Sequence, residues 1–118
     1  MTTIYHYPNC STCKKALKWL AAQGVDAERI DIVAAPPSVE TLRGAWQASG
    51  LPLKKFFNTS GMSYRNGGFS ARLPGMSEDR QLAALAADGK LIKRPLLIAG
   101  KRVTVGFKEA VWTELLGL

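Results

Sequence analysis

Thr3-Ile4-Tyr5-His6-Tyr7-Pro8-Asn9-Cys10-Ser11-Thr12-Cys13-Lys14-Lys15-Ala16-Leu17 is the stretch that decides the architecture. Residues 3–7 are β-branched and aromatic and predict a buried strand. Pro8 and Asn9 turn the chain. From Ser11 to residue 23 the pattern becomes helical. Cys13, Ala16, Leu17 and Leu20 share one face, and Lys14, Lys15 and Lys18 lie largely off it. Gly24 is the stop. The chain's two cysteines, Cys10 and Cys13, therefore sit where a strand gives way to a helix. A helix start presents unpaired backbone N–H groups and a partial positive charge, and both favour a thiolate over a thiol.

Working outward, residues 26–32 predict a second strand, with Ile30 and Ile32 alternating against Arg29 and Asp31. A strand, a helix and a further strand make a βαβ unit and a parallel pair. Pro36-Pro37-Ser38 breaks the chain and caps a helix over 38–49, with Leu42, Ala45 and Trp46 as its apolar stripe and Gly50 as its end. Residues 51–57 suggest a short helix. Asn58-Thr59-Ser60-Gly61 is turn-like, while Gly67-Gly68 and Pro74-Gly75 read as breakers. Tyr64-Arg65 and Gly67-Gly68-Phe69 form a flexible polar stretch expected to rim the active cleft. Ser77 caps a helix to Ala87, stopped by Gly89. Residues 95–99 and 102–105 predict a hairpin turning at Gly100-Lys101. The last helix spans about 108–116, with Val111 and Leu115 at helical spacing. The three tryptophans, Trp19, Trp46 and Trp112, all fall on helices and are expected to pack.

The expected fold class is α/β: a small mixed sheet with flanking helices, as in thioredoxin-like folds, and a helical insert at about 36–90 between the second and third strands. With 118 residues, 47% of them hydrophobic, the chain suits one domain, 1–118. It contains no apolar run long enough to span a membrane. Its start lacks the basic and apolar regions of a secretory signal, so a cytoplasmic location is expected. In that compartment a lone Cys-x-x-Cys points to redox chemistry rather than a structural staple. Sixteen basic and nine acidic residues give a net charge of +7, which attracts anions. The basic residues are scattered, with pairs at Lys54-Lys55, Lys93-Arg94 and Lys101-Arg102, and read as a solvated surface. No nucleic-acid recognition motif is present, so direct nucleic-acid binding is not expected.

Cys10 is the candidate nucleophile and Cys13 the resolving thiol that attacks an adduct formed on Cys10. The N–H groups of Ser11 and Thr12 are candidates to line an anion cup over Cys10. His6 has two readings, a proton donor to the active loop or a structural side chain. Arg94 is the candidate anion partner, because a guanidinium facing the sulfur favours its charged form. No metal is expected: a tetrahedral zinc site needs four ligands, and two cysteines plus His6 supply three.

The segment from Tyr5 to Ala16 resembles the opening of the ArsC family, which includes glutathione-linked arsenate reductases and the Spx/MgsR group. Pro36-Pro37 is similar to the start of that family's helical insert, Asn58-Thr59-Ser60-Gly61 to a turn of the Spx/MgsR branch, and Ile92-Lys93-Arg94-Pro95-Leu96-Leu97-Ile98 to its Arg-Pro strand. The resemblance covers essentially the whole chain. It implies a thiol–disulfide redox protein with no bound cofactor, reduced by glutathione or by a glutaredoxin or thioredoxin, acting on a small thiol or oxyanion. It also implies that Pro95 is a cis proline beside the cysteines. Arsenate reductases of this type hold the oxyanion with three arginines. Arg94 matches one, and the other two fall near Asn58 and Val105, which carry no charge. Val103-Thr104-Val105-Gly106-Phe107 looks like the ending of the Spx/MgsR branch. The alternative implied by that branch is a redox-sensing transcriptional regulator that binds RNA polymerase.

Overall fold

The computed structural model describes residues 1–118. Strand β1 (Thr2–His6) is followed by helix α1 (Ser11–Ala22) and by β2 (Glu28–Asp31). β1 and β2 pair in parallel, Ile4 opposite Arg29 and Tyr5 opposite Ile30. β3 (Leu96–Ala99) lies antiparallel on the other side of β1, Ile4 opposite Leu97, and β4 (Arg102–Val105) returns antiparallel to β3. The sheet order is β2-β1-β3-β4, a mixed four-stranded sheet as expected. The hairpin turns at Gly100, whose φ of 63° suits a residue without a Cβ.

Side-chain alternation along the strands divides the core into two parts. On one face Ile4 and Leu97 pack with Ala16, Leu20 and Trp112, under α1 and the last helix, α6 (Glu109–Leu116). On the other face Leu96 and Val103 join Leu42, Phe56, Leu82 and Leu85 of the insert. Adjacent residues Leu96 and Leu97 thus serve opposite cores. Trp112 is fully buried; its indole N–H donates to the Gly106 carbonyl at 3.0 Å, and its ring meets Phe107 edge-on at 4.9 Å. Val111 instead faces outward, 42% exposed, so the apolar stripe of α6 is turned from the expected one.

The insert opens with α2 (Val39–Ser49), where the Ser38 hydroxyl accepts the Thr41 N–H at 3.1 Å and Gly50 closes the helix at φ 68°. Later comes α5 (Glu78–Ala87), capped in the same way by Ser77 onto the Arg80 N–H at 3.2 Å. Between them, residues 53–56 form a single 3₁₀ turn. The glycines and prolines read as breakers separate short helices, α3 (Met62–Asn66), α4 (Phe69–Arg72) and a 3₁₀ turn at Leu73–Gly75. Such short helices cannot persist alone. They are held because Tyr64, Phe69 and Leu73 are buried, with the Tyr64 and Phe69 rings stacked at 6.0 Å. For the same reason Tyr64 and Phe69 belong to the core of the insert, and neither lines the cleft that holds Arg94.

Gly89 differs from its expected role as a helix stop. Asp88 caps the end of α5, and its carboxylate accepts the Lys90 N–H at 3.0 Å. Gly89 is buried at the start of a 3₁₀ turn, Gly89–Leu91, pressed against the Ile32 carbonyl with no room for a Cβ. That close approach fastens the end of the insert to the chain leaving β2. No helix is long and apolar enough to cross a membrane.

Candidate active site

The loop after β1 is closed by the Cys10 N–H, which donates to the Tyr7 carbonyl at 3.0 Å. Cys10 is itself the N-cap of α1, with extended backbone (φ −93°, ψ 116°). Its sulfur accepts the Cys13 N–H at 3.2 Å, the bond that a serine or aspartate oxygen makes in other helices. Cys10 is half-buried, Cys13 is fully buried on the inward face, and both are free. Ser11 and Thr12 are exposed in the first turn. The N–H that reaches the Cys10 sulfur belongs to Cys13.

The two sulfurs are driven apart electrostatically. Burial pushes the Cys10 thiol up, but the hydrogen bonds from the Cys13 side chain and backbone and the nearby Arg94 guanidinium outweigh it, and its pKa ends below the ordinary value. Cys13 is pushed up to about 12, first by burial and then by serving Cys10 as donor. The arrangement makes Cys10 the more readily ionised sulfur and keeps Cys13 a thiol.

Arg94 favours the Cys10 thiolate by side-chain hydrogen bonding and then by its charge. Its Nη1 also donates to the Lys90 carbonyl at 3.3 Å. Its guanidinium lies over the Tyr7 ring, 4.9 Å from the centroid, a cation–π contact. Tyr7 thus serves the site twice, by its carbonyl to the cysteine loop and by its ring to the arginine. Nothing in the sequence pattern singled it out. The Arg94–Pro95 peptide is cis, and the buried Pro95 accepts the Gly106 N–H on its carbonyl at 2.9 Å. Cys10, Cys13, Arg94 and Pro95 therefore belong to one assembly at the end of the sheet.

His6 is half-buried at the end of β1, opposite Asp31 in register, and its Nδ1 has no hydrogen-bond partner. It makes no bond to either cysteine. No group of three or more His, Cys, Asp or Glu side chains is placed to hold a metal ion. Asn58 is taken up by its own turn: its N–H donates to the Leu91 carbonyl at 2.8 Å and its side chain packs against Gly61. Val105 pairs with Leu96 and faces a cleft.

That cleft has a volume of about 910 Å³ and opens beside Thr12 and Arg94. Lys54 and Lys55 of the insert, Lys93 beside Arg94, and Lys108 ahead of α6 also line it, and no carboxylate does. The molecule's one ion pair, Arg43–Asp79 at 3.0 Å, lies elsewhere. Three separate segments supply these cations, so their convergence is not visible as a run in the sequence.

The ArsC family model matches residues 5–115. The chain is 54% identical to the uncharacterized protein YusI of Bacillus subtilis over 95% of each chain. A possible arsenate reductase from Streptococcus mutans superimposes with a TM-score of 0.91 at 44% identity, covering 100% of this chain and 98% of that one. The regulatory protein MgsR of Bacillus subtilis is 25% identical, over 98% of this chain and 88% of its own length. On the fold, the Cys10–Cys13 helix start and these matches together, the chain belongs to the ArsC family.

Proposed function

We propose that the protein is a thiol–disulfide oxidoreductase in which Cys10 attacks and Cys13 resolves. The Cys10 thiolate attacks one sulfur of a substrate disulfide. A Cys10–substrate disulfide forms, and the other sulfur leaves as a thiolate that takes a proton from solvent. Cys13, deprotonated as it approaches, then attacks the Cys10 sulfur. A Cys10–Cys13 disulfide forms and the second substrate sulfur leaves as a thiol. The substrate gains two electrons and the protein loses them; glutathione or a dithiol protein restores both thiols. The observation that carries this reading is the Cys10 sulfur capping α1 through the Cys13 N–H at 3.2 Å.

Reduction of arsenate is a narrower form of the same chemistry. It is less favoured, because Arg94 is the one guanidinium lining the cleft, and the resemblance implies that the family's other two arginines fall near Asn58 and Val105, which carry no charge. Steady-state assays with arsenate, glutathione and glutaredoxin are expected to show no turnover above background.

Mass spectrometry after glutathione disulfide treatment tests the main reading. The parent is expected to lose two hydrogens, Cys13→Ser to retain one glutathione on Cys10, and Cys10→Ser to take up none at neutral pH. An adduct on Cys13 in the Cys10→Ser protein at the parent's rate would reverse the assignment.

The similarity to MgsR over nearly the whole chain favours a second reading, a regulator whose Cys10–Cys13 pair senses oxidation and whose partner is RNA polymerase. Pull-downs from extract under oxidising and reducing conditions distinguish it. Recovery of polymerase subunits in one redox state supports it, and recovery in neither counts against it.

A further inference from the structure

We propose that the cleft beside Arg94 binds an extended, acidic segment of a partner protein and presents that partner's disulfide to Cys10. This rests on the oxidoreductase reading and names its substrate class. The first ground is charge. Lys54, Lys55, Lys93, Arg94 and Lys108 line one concave surface without a carboxylate among them. Left empty, such a surface repels itself, and an acidic chain relieves the repulsion.

The second ground is size and floor. About 910 Å³ lies at the upper end of the ~300–1,000 Å³ common for ligand sites, and an oxyanion held by Arg94 would fill one end of it. Leu51, Phe107 and Val111 line the cleft as partly or largely exposed apolar surface, 42% exposed at Val111. A small charged thiol has no apolar side chain to cover them, whereas a polypeptide with a leucine or similar residue between its acids does. The third ground is placement. Thr12 lines the cleft in the first turn after Cys10, so a chain lying there brings a sulfur to the reactive end.

The chemistry is that given above, with the partner's disulfide as oxidant: its first sulfur bonds to Cys10, its second leaves as a thiol, and Cys13 then releases the first by closing the Cys10–Cys13 disulfide.

The test offers four disulfides to the Cys13→Ser protein, which holds the adduct on Cys10. One is a short peptide with Asp and Glu around a Leu and a Cys, the Cys capped as its 2-mercaptoethanol disulfide. The second has Lys for every acid. The others are glutathione disulfide and uncharged bis(2-hydroxyethyl) disulfide as reference. Rates of adduct formation are expected to favour the acidic peptide about tenfold over the lysine peptide and over glutathione disulfide, within the ~10–10³ range of electrostatic enhancement. Salt should erode that preference, and Lys55→Glu with Lys108→Glu should lower the ratio of acidic-peptide to reference rate. Equal rates for the two peptides would overturn the proposal, as would a faster glutathione disulfide, which would make the occupant a small thiol. In these two cases the reference disulfide still reacts and the Cys10 assignment stands. If the reference also fails to react, the oxidoreductase reading falls with the proposal. The peptide and salt series need only the Cys13→Ser protein, so they decide the matter whether or not the double lysine variant folds.

Discussion

A sulfur atom stands where helices ordinarily place an oxygen, and much of the site's chemistry follows from that substitution. Cys10 caps α1 through the Cys13 N–H, so the bond that starts the helix also stabilises the thiolate. The consequences for pH are opposite at the two cysteines. Cys10 has a lowered pKa, so its contribution to stability is present above the ordinary cysteine value, ~8.5, and is lost as pH falls through its folded pKa. Cys13 has a raised pKa, so its contribution is complete below ~8.5 and is lost as pH climbs toward about 12. Denaturant titrations from pH 8 upward should therefore show stability declining in the parent, with a shallower decline in Cys13→Ala. Tyr7 gives a second prediction. Its ring holds the Arg94 guanidinium at 4.9 Å, a contact of ~0.5–1 kcal/mol at such sites. Tyr7→Leu should raise the Cys10 pKa and slow its alkylation at neutral pH. Tyr7→Phe keeps the ring and should leave both unchanged. A rise in both variants would show that the hydroxyl matters instead.

At the scale of elements, two residues fasten the pieces around the site. Gly89 lets the end of the insert touch the Ile32 carbonyl. Gly89→Ala forces that contact apart and should cost about 2–3 kcal/mol, within the usual range for overpacking, read as a shifted denaturant midpoint. Trp112 joins α6 to the sheet, fully buried and bonded to the Gly106 carbonyl. Trp112→Ala should cost ~3–5 kcal/mol. These elements also show what was legible in advance. β1, α1, β2 and the closing hairpin could be read because local pattern and tertiary role agree: Ile4 is apolar in a strand and buried in the sheet, and Ser38 and Ser77 cap the helices they announce. The segment from 62 to 75 was not legible, because its glycines signal turns while its short helices exist only through the burial of Tyr64, Phe69 and Leu73. Gly89 differs for a related reason: a glycine needed for close approach looks, in sequence, like one needed to end a helix.

Across the whole molecule, the excess of positive charge acquires a direction that composition does not give. Cys10, Cys13, Arg94 and Pro95 were marked in the sequence and lie together, because both ends of the motif meet at one end of the sheet. The lysines of the cleft are dispersed in sequence, and residues 54, 55, 93 and 108 meet only once the insert folds back beside β4 and α6. Everything nevertheless depends on one sulfur ionising more readily than free cysteine while its neighbour ionises less readily. Titration of the reduced parent, followed by thiolate ultraviolet absorbance, measures this directly. Two separate steps are expected, the first below ~8.5 and absent from Cys10→Ser, the second near 12. A single step at the ordinary cysteine value, with both thiols ionising together, would contradict the account.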